Sequence, residues 1–426
     1  MSKISKIKGF FDLLPPESNA YVFMEEKARE VFTRYAYQEI KIPILEKTEL
    51  FARSIGENTD VVQKEMYTFQ DRKGRSLTLR PEATAGVIRA YIDNVAAGSE
   101  TISKYFTLGP MFRYERPQKG RTRQFHQINA EMLGEDSPFA DGEMISMLWS
   151  YLQALGLNKL HLELNSLGCS KCRPEYDARL KGFLAGINPD ELCPDCLRRV
   201  DSNPLRVLDC KQPKCKEVAS QAPRIMDYMC ADCKNHFDQV LGILENYSID
   251  YVLNPFLVRG LDYYQRTTFE VISTDIGAQS AVAGGGRYDG LVRDLGGPSV
   301  PGIGFACGME RLALLLQGLQ ERPLDFYLAI LHPDVMHPAL LMAQRLRSKG
   351  FHGDMGFQVK SVKSQLRLAN KKGVKTCLLL GLDEMERGDI QVKDMSTGVQ
   401  RAVSQEEVEQ ALGLNLKTKT ENFVHY

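Results

Sequence analysis

Four closely spaced cysteine pairs, Cys169/Cys172, Cys193/Cys196, Cys210/Cys215 and Cys230/Cys233, constrain this chain more than any other feature. Only Cys307 and Cys377 lie elsewhere. Three of the pairs are C-x-x-C, the spacing at which two thiolates reach one tetrahedral zinc. In a reducing compartment such clustering argues for metal or redox chemistry over disulfides. Eight thiolates would fill two four-cysteine zinc sites, although the pairing does not follow from sequence. Buried reduced thiols or a redox sensor would carry the same pattern. Metal would supply folding energy that so small a segment lacks. Residues 169–240 therefore read as a mostly helical insertion, and the rest of the 426-residue chain must build its cores on either side of it.

Charge narrows the function classes. The 54 basic and 54 acidic residues cancel, which excludes a chain-wide electrostatic grip on nucleic acid but leaves local basic patches open. No apolar run approaches the roughly 20 residues of a membrane span. Near the start, Asp12 and the prolines after it break the Gly9–Leu14 patch well short of a signal-peptide core. The expectation is a cytosolic protein with no membrane segment.

Apolar residues at helical spacing predict a helix over about 21–35, followed by a short strand through Ile40–Leu45 that contains Pro43. Met66–Phe69 and Leu77–Leu79 flank a polar turn and read as a hairpin. A second pair, Lys104–Tyr114 and Phe125–Leu133, is separated by a charged loop. Strands in this half are joined by loops or hairpins more often than by helices, so the sheet should be antiparallel. After the insertion come strands at Tyr251–Leu253 and Thr267–Ile272, a glycine-rich turn, and a helix over Met309–Leu319. Beyond Pro323 short apolar strands alternate with helices, which predicts a small α/β domain, with a loosely ordered tail after Leu412.

Five constellations carry chemistry. Between Phe112 and Phe125, five basic residues (Arg113, Arg116, Lys119, Arg121, Arg123) occupy eleven positions of a loop, suited to a polyanion but also to a solvated hairpin. Arg259-Gly260-Leu261-Asp262-Tyr263-Tyr264 sets a cation and two aromatic walls beside a residue that permits close backbone approach. Gly284-Gly285-Gly286 matches neither the dinucleotide fingerprint nor the P-loop, and a tight turn would explain it. Gly302–Leu312 leads a small-residue strand into a helix that opens with Glu310-Arg311, a cation set against the helix dipole. Glu82 and Thr84 could together hold an ammonium group.

In this order and spacing, the five constellations resemble bacterial histidyl-tRNA synthetases of class II. The resemblance covers essentially the whole chain. Pro43 lies in what looks like the dimer-forming first motif, Phe112–Glu131 looks like the second and Gly302–Leu316 like the third. Arg259–Tyr264 and Ala283–Leu291 resemble the two peptides peculiar to the histidine enzymes, which makes the match specific.

The resemblance implies an α+β chain: a class II catalytic core with an antiparallel sheet and flanking helices (1–168 and 241–322), the Cys-rich insertion, and a C-terminal α/β anticodon-binding domain (323–426). It implies a homodimer that joins L-histidine to tRNA-His with ATP and Mg2+. Arg113 and Arg259 would flank the α-phosphate and the substrate carboxylate, and Arg123, Phe125 and Arg311 would serve ATP. Glu131 and Tyr264 would meet the imidazole nitrogens. Glu82, Thr84 and Gln127 would take the amino and carboxylate end, with Tyr263 and Tyr288 as walls and Gly284–Gly286 as floor. Arg116, Gln118 and Arg121 would contact the acceptor stem. Lys360, Lys363, Arg367, Lys371 and Lys372 recur along one probable helix, either a tRNA-facing stripe or a solvated face. Structural Zn2+ does not follow from the resemblance, since the best-known members build the insertion without these cysteines. The rival reading is an inactive paralogue of the same fold that regulates histidine biosynthesis. The intact Arg113, Arg259 and Arg311 argue against it.

Overall fold

The computed structural model describes residues 4–57, 59–95, 102–276, 281–316 and 324–413. The chain divides into two compact units, Met1–Leu319 and Gln320–Tyr426.

The first unit is built on an eight-stranded sheet running Gln38–Glu39, Ser103–Phe112, Gln124–Leu133, Gly302–Gly308, Ala281–Arg287, Gln265–Ser273, Leu160–Ser166 and Tyr251–Leu253. The six central strands pair antiparallel, as the strand-after-strand pattern predicts; each edge strand joins in parallel. Alternation along Gln124–Leu133 fixes the two faces. Ile128, Ala130 and Met132 point into a core with Phe32, Leu148 and Tyr151, while Gln127, Asn129 and Glu131 point the other way. Helices Glu17–Arg34, Pro138–Ala154 and Ala231–Asn246 cover the apolar face. A hairpin of Tyr67–Gln70 and Ser76–Leu79, joined by Leu45–Lys47, forms a separate small sheet.

Two local expectations are corrected. The glycine run is no turn: Gly284–Gly286 lie mid-strand, paired on both sides. The Ile40–Leu45 strand breaks in two, into Gln38–Glu39 and Leu45–Lys47, because Pro43 has no N–H to donate to a ladder. Backbone bonds from Ile40 to Phe106 and from Arg80 to Ile44 hold the extended stretch between them.

The insertion is helical, and three of its helices open at cysteines. Cys172, Cys193 and Cys230 cap Arg173–Ala185, Pro194–Ser202 and Ala231–Asn246, and proline sits in the first turn of the first two. The last of these helices runs through residue 240 and buries Phe237, Val240 and Leu244 in the main core, so the expected 240/241 boundary falls inside a continuous helix.

In the second unit the sheet order is Gly353–Met355, Phe326–Ile330, Thr376–Leu380, Asp389–Asp394, Gln400–Ser404. The first three are parallel and the last two add an antiparallel hairpin. Helices Met336–Ser348 and Val362–Lys371 complete the α/β pattern. The helix read as Met309–Leu319 is described over Met309–Leu315; its expected end, Pro323 and the tail from residue 414 lie outside the described residues.

Candidate functional site

The polar face of the main sheet floors a cavity of about 640 Å³. Glu82, Thr84, Arg113, Arg121, Phe125, Gln127, Arg259, Tyr263, Tyr264 and Arg311 all line it. They come from elements far apart in sequence, brought together by the strand order.

Glu82 sits at the start of helix Thr84–Asn94, where its carboxylate accepts the backbone N–H of Thr84 (2.7 Å) and of Ala85 (2.8 Å). Burial nevertheless raises its pKa from the ordinary value. The Thr84 hydroxyl donates to Glu131 at 2.7 Å, and the Tyr288 hydroxyl donates to the other Glu131 oxygen. Burial pushes the Glu131 carboxyl up to about 8, against the pull of those two bonds. Glu131 and Tyr288 are each 1% exposed and form a layer beneath the cavity wall instead of lining it. Gly304 makes that layer possible, since a Cβ there would stand 1.8 Å from Glu131 Oε2. Tyr263 packs on Tyr264 at 4.6 Å between ring centroids and edge-on to Tyr288 at 5.8 Å.

Arg259 lies across the sheet. Its Nη1 pairs with Glu270, and a Cβ on Gly284 would stand 2.3 Å from that nitrogen. The glycine run therefore clears the bed for a guanidinium group, and Gly284 stands opposite Glu270 in the ladder. Burial works against the Arg259 charge, yet Glu270 leaves its pKa above the ordinary value. Arg113 enters from the neighbouring strand end, donating to the Pro81 carbonyl at 2.9 Å and resting 5.4 Å over the Phe125 ring. Burial lowers its pKa. Arg311 donates to the Ala281 carbonyl at 2.5 Å, while the adjacent Glu310 takes the His126 N–H at 2.9 Å and ties helix to strand. Guanidinium groups gathered on one partly desolvated cavity suit an anion that spreads charge over several oxygens.

Three predicted residues lie apart. Arg116 and Gln118 are exposed on the loop. Arg123 turns away from the cavity, stacking 3.7 Å from the Tyr114 ring and donating to the Glu115 carbonyl at 3.1 Å. Arg121, expected beside Arg116 and Gln118, points into the cavity and pairs with Glu115.

Sequence reasoning missed Asn129 and Glu270, which also line the cavity. Asn129 shares the alternation of Gln127 and Glu131, and Glu270 is the carboxylate within an otherwise uncharged Thr267–Ile272 run, so both carried a signal. Arg206 and Asp209 of the insertion line it too, with no sequence pattern to mark them.

The cysteines gather into two groups: Cys169, Cys172, Cys230 and Cys233 in one, and Cys193, Cys196, Cys210 and Cys215 in the other. In each, the four sulfurs lie within 4.8 Å of one another. Sγ separations of 3.7 Å (Cys169–Cys172) and 3.8 Å (Cys169–Cys230, Cys172–Cys233, Cys193–Cys210) match the roughly 3.8 Å edge of a tetrahedron with ~2.3 Å zinc–sulfur bonds. Backbone N–H groups of Cys169 and Cys193 point at Cys172 (3.1 Å) and Cys215 (3.2 Å), as suits thiolates.

In the second unit, Lys363, Arg367 and Lys371 are exposed along helix Val362–Lys371, whose Gln365 and Ala369 are buried. Lys360 is exposed just before it, and Lys372 pairs with Asp354 at 2.7 Å.

Comparison with known proteins gives matches along nearly the whole chain. Residues 9–312 match the family model described as histidyl-tRNA synthetase, and residues 325–413 the one described as anticodon binding domain. A histidine–tRNA ligase of Maridesulfovibrio salexigens is 58% identical over 409 residues, covering 96% of this chain and 99% of its own length. One of Solidesulfovibrio magneticus is 59% identical over 406 residues, covering 95% and 96%. Among solved structures, apo histidyl-tRNA synthetase of S. aureus matches with a TM-score of 0.79 at 35% identity, over 97% of this chain and 100% of that one. No helix among the described residues is long and apolar enough to cross a membrane.

Proposed function

The chain belongs to the histidyl-tRNA synthetase family, and from that premise we propose how its cavity divides the work of a histidine–tRNA ligase. The reaction activates histidine with ATP and transfers it to tRNA. In the first step a carboxylate oxygen of histidine bonds to the α-phosphorus of ATP, and the bond from that phosphorus to the leaving pyrophosphate breaks. Two anions meet, so the barrier falls chiefly through fixed cations and alignment.

Arg113 and Arg259 take the α-phosphate and the substrate carboxylate. Arg311 and Phe125 hold the rest of the nucleotide, and Arg123 braces the loop through Tyr114 and Glu115. Magnesium, where bound with ATP, would neutralise phosphate charge, and the Glu270 and Asp209 carboxylates on the cavity wall would be its oxygen donors. Glu82, Thr84 and Gln127 receive the amino and carboxylate end of histidine. Tyr264 and the Glu131 layer read the imidazole, with Tyr263 and Tyr288 as packing. A site built to hydrogen-bond the ring rejects analogues without matching partners far better than shape alone.

In the second step a ribose hydroxyl at the tRNA 3′ end attacks the activated carbonyl and AMP leaves. Arg116 and Gln118 face outward for the acceptor stem, and Arg121 meets its end at the cavity. The second unit, whose residues 325–413 match the anticodon-binding family model, serves the anticodon. Exposed Ile44, Leu45 and Phe69, around Pro43, support a homodimer, for which sedimentation would give the mass of two chains. Each four-cysteine group would hold one structural zinc, four thiolates leaving the metal no catalytic role. A reducing cytosol suits such thiols.

One observation carries this reading. Arg113 and Arg259 reach a single cavity from separate elements, Arg259 fixed against Glu270 over Gly284, with Glu82, Thr84, Gln127 and Tyr264 on the same walls. Amino-acid-dependent ATP–pyrophosphate exchange tests it. Histidine alone among the twenty amino acids should support exchange, and Arg259→Ala should abolish it. Undiminished exchange in the variant would remove Arg259 from the mechanism.

A further inference from the structure

Residues 254–264 form no regular helix or strand, so the segment carrying Arg259 must find much of its support outside itself. Much of that support comes from the cysteine-rich insertion. Arg206 Nη1 donates to the Arg259 carbonyl at 3.1 Å and also to Asp209 at 3.1 Å. Asn203 Nδ2 donates to the Asp262 carboxylate at 2.8 Å. Arg173 Nη1 donates to the Tyr264 carbonyl at 3.0 Å.

Each of these side chains is set by a cysteine group. Arg173 directly follows Cys172. Asn203 and Arg206 lie between Cys196 and Cys210, on a stretch whose Leu205, Val207 and Leu208 are buried with both cysteines. Cys193 and Cys210 themselves line the cavity. The helices between them, Pro194–Ser202 and Leu205–Leu208, are too short to hold a position by their own hydrogen bonds. Beside the packing of Leu205, Val207 and Leu208 and the Arg199–Asp60 ion pair, they are bracketed by the four-sulfur group of Cys193, Cys196, Cys210 and Cys215.

The Arg259 guanidinium has little room for error, being wedged between Glu270 and the bare backbone of Gly284. A displacement of about 1 Å at such a group can lower a rate roughly 100-fold.

We propose that the two four-thiolate groups form a metal-set frame for the Arg259–Tyr264 segment, with Arg173, Asn203 and Arg206 as positioning residues for histidine activation. The insertion thereby makes the activation step depend on metal that takes no part in the chemistry. This rests on the zinc reading above, and the test separates the two.

Zinc per chain is measured by elemental analysis on protein purified without chelators, alongside exchange kinetics for the wild type, Arg206→Ala, Arg206→Lys and Cys210→Ser. The wild type should carry two zinc ions per chain. Arg206→Ala should keep both while kcat falls roughly 100-fold with little change in the KM for ATP. Arg206→Lys, which still offers an N–H to the carbonyl, should recover a large part. Cys210→Ser should keep one zinc and lose a similar factor in kcat, and adding Arg206→Ala to it should lower kcat little further. Wild-type kcat in Arg206→Ala, with both ions bound, would overturn the positioning role and leave the zinc standing. Wild-type kcat in a Cys210→Ser protein that has lost an ion would overturn the frame. A wild-type protein without zinc would overturn the zinc reading and the metal-set frame with it, whatever Arg206→Ala does.

Discussion

The Glu131 carboxyl takes the hydroxyls of Thr84 and Tyr288 at a position 1% exposed, and burial pushes its pKa from 4.5 up to about 8. The folded state therefore binds this proton more tightly than the unfolded chain does. Its contribution to stability is complete below the ordinary carboxylate range and is lost as pH rises toward about 8. Glu131→Gln keeps the two hydroxyl partners but cannot ionise, so the variant should escape the loss. Thermal unfolding should find the two proteins alike at pH 5 and the variant higher by about 5 °C at pH 9. Parallel melting curves across that range would mean the carboxyl ionises as freely inside as outside. The KM for histidine should rise about tenfold in the variant, since a carboxyl oxygen that can accept becomes an amide nitrogen that can only donate. Arg287 shows the opposite case of a motif residue with no place at the cavity. It is 0% exposed and held by Asp141, Asp289 and the carbonyls of Glu135 and Ser137, so its role in the glycine-rich peptide is to anchor the strand end.

At the level of elements, the strand Ala281–Arg287 serves the site by what it lacks. Gly284 faces Arg259 and Gly285 faces the Phe269 and Phe305 side, so the run opens both surfaces of the sheet. Gly284→Ala would press its methyl group on the end of a long side chain, which can move. The variant should therefore fold with a Tm within about 3 °C of wild type while exchange falls roughly 100-fold. A large stability loss, or full activity, would contradict that account. The sequence misled here for a physical reason: hydrophobic periodicity is the signal for a strand, and glycine contributes none. Gln124–Leu133 was legible because its two faces differ, apolar toward the core and amide or carboxylate toward the cavity. The same alternation held Asn129, whose uncharged amide gave no chemical signal beside Gln127 and Glu131. Pro43 hid a break in its strand, since apolar neighbours on both sides kept the pattern going. The grip of Arg206 on Arg259 had no local sequence signature, because it joins residues 53 positions apart across an insertion.

Over the whole molecule, basic and acidic residues balance, 54 to 54, so tRNA must be held by local arrangement and not by a general field. The two compact units then have separable tasks. The cavity and both cysteine groups belong to residues up to 319, while the exposed line Lys363, Arg367 and Lys371 belongs to the unit from residue 320. Helical spacing puts these three on one face, opposite the buried Gln365 and Ala369, and leaves them where phosphates could approach. Lys363→Glu with Arg367→Glu reverses two charges on that face without touching a buried group. ATP–pyrophosphate exchange, which needs no tRNA, should stay at the wild-type level. Charging of tRNA should fall tenfold or more through its KM, and the deficit should shrink as salt weakens phosphate contacts in both proteins. Equal loss in both assays would mean the substitutions damage the fold. Unchanged charging would make the stripe a solvated face and turn the search for the tRNA contact to other surfaces of this unit.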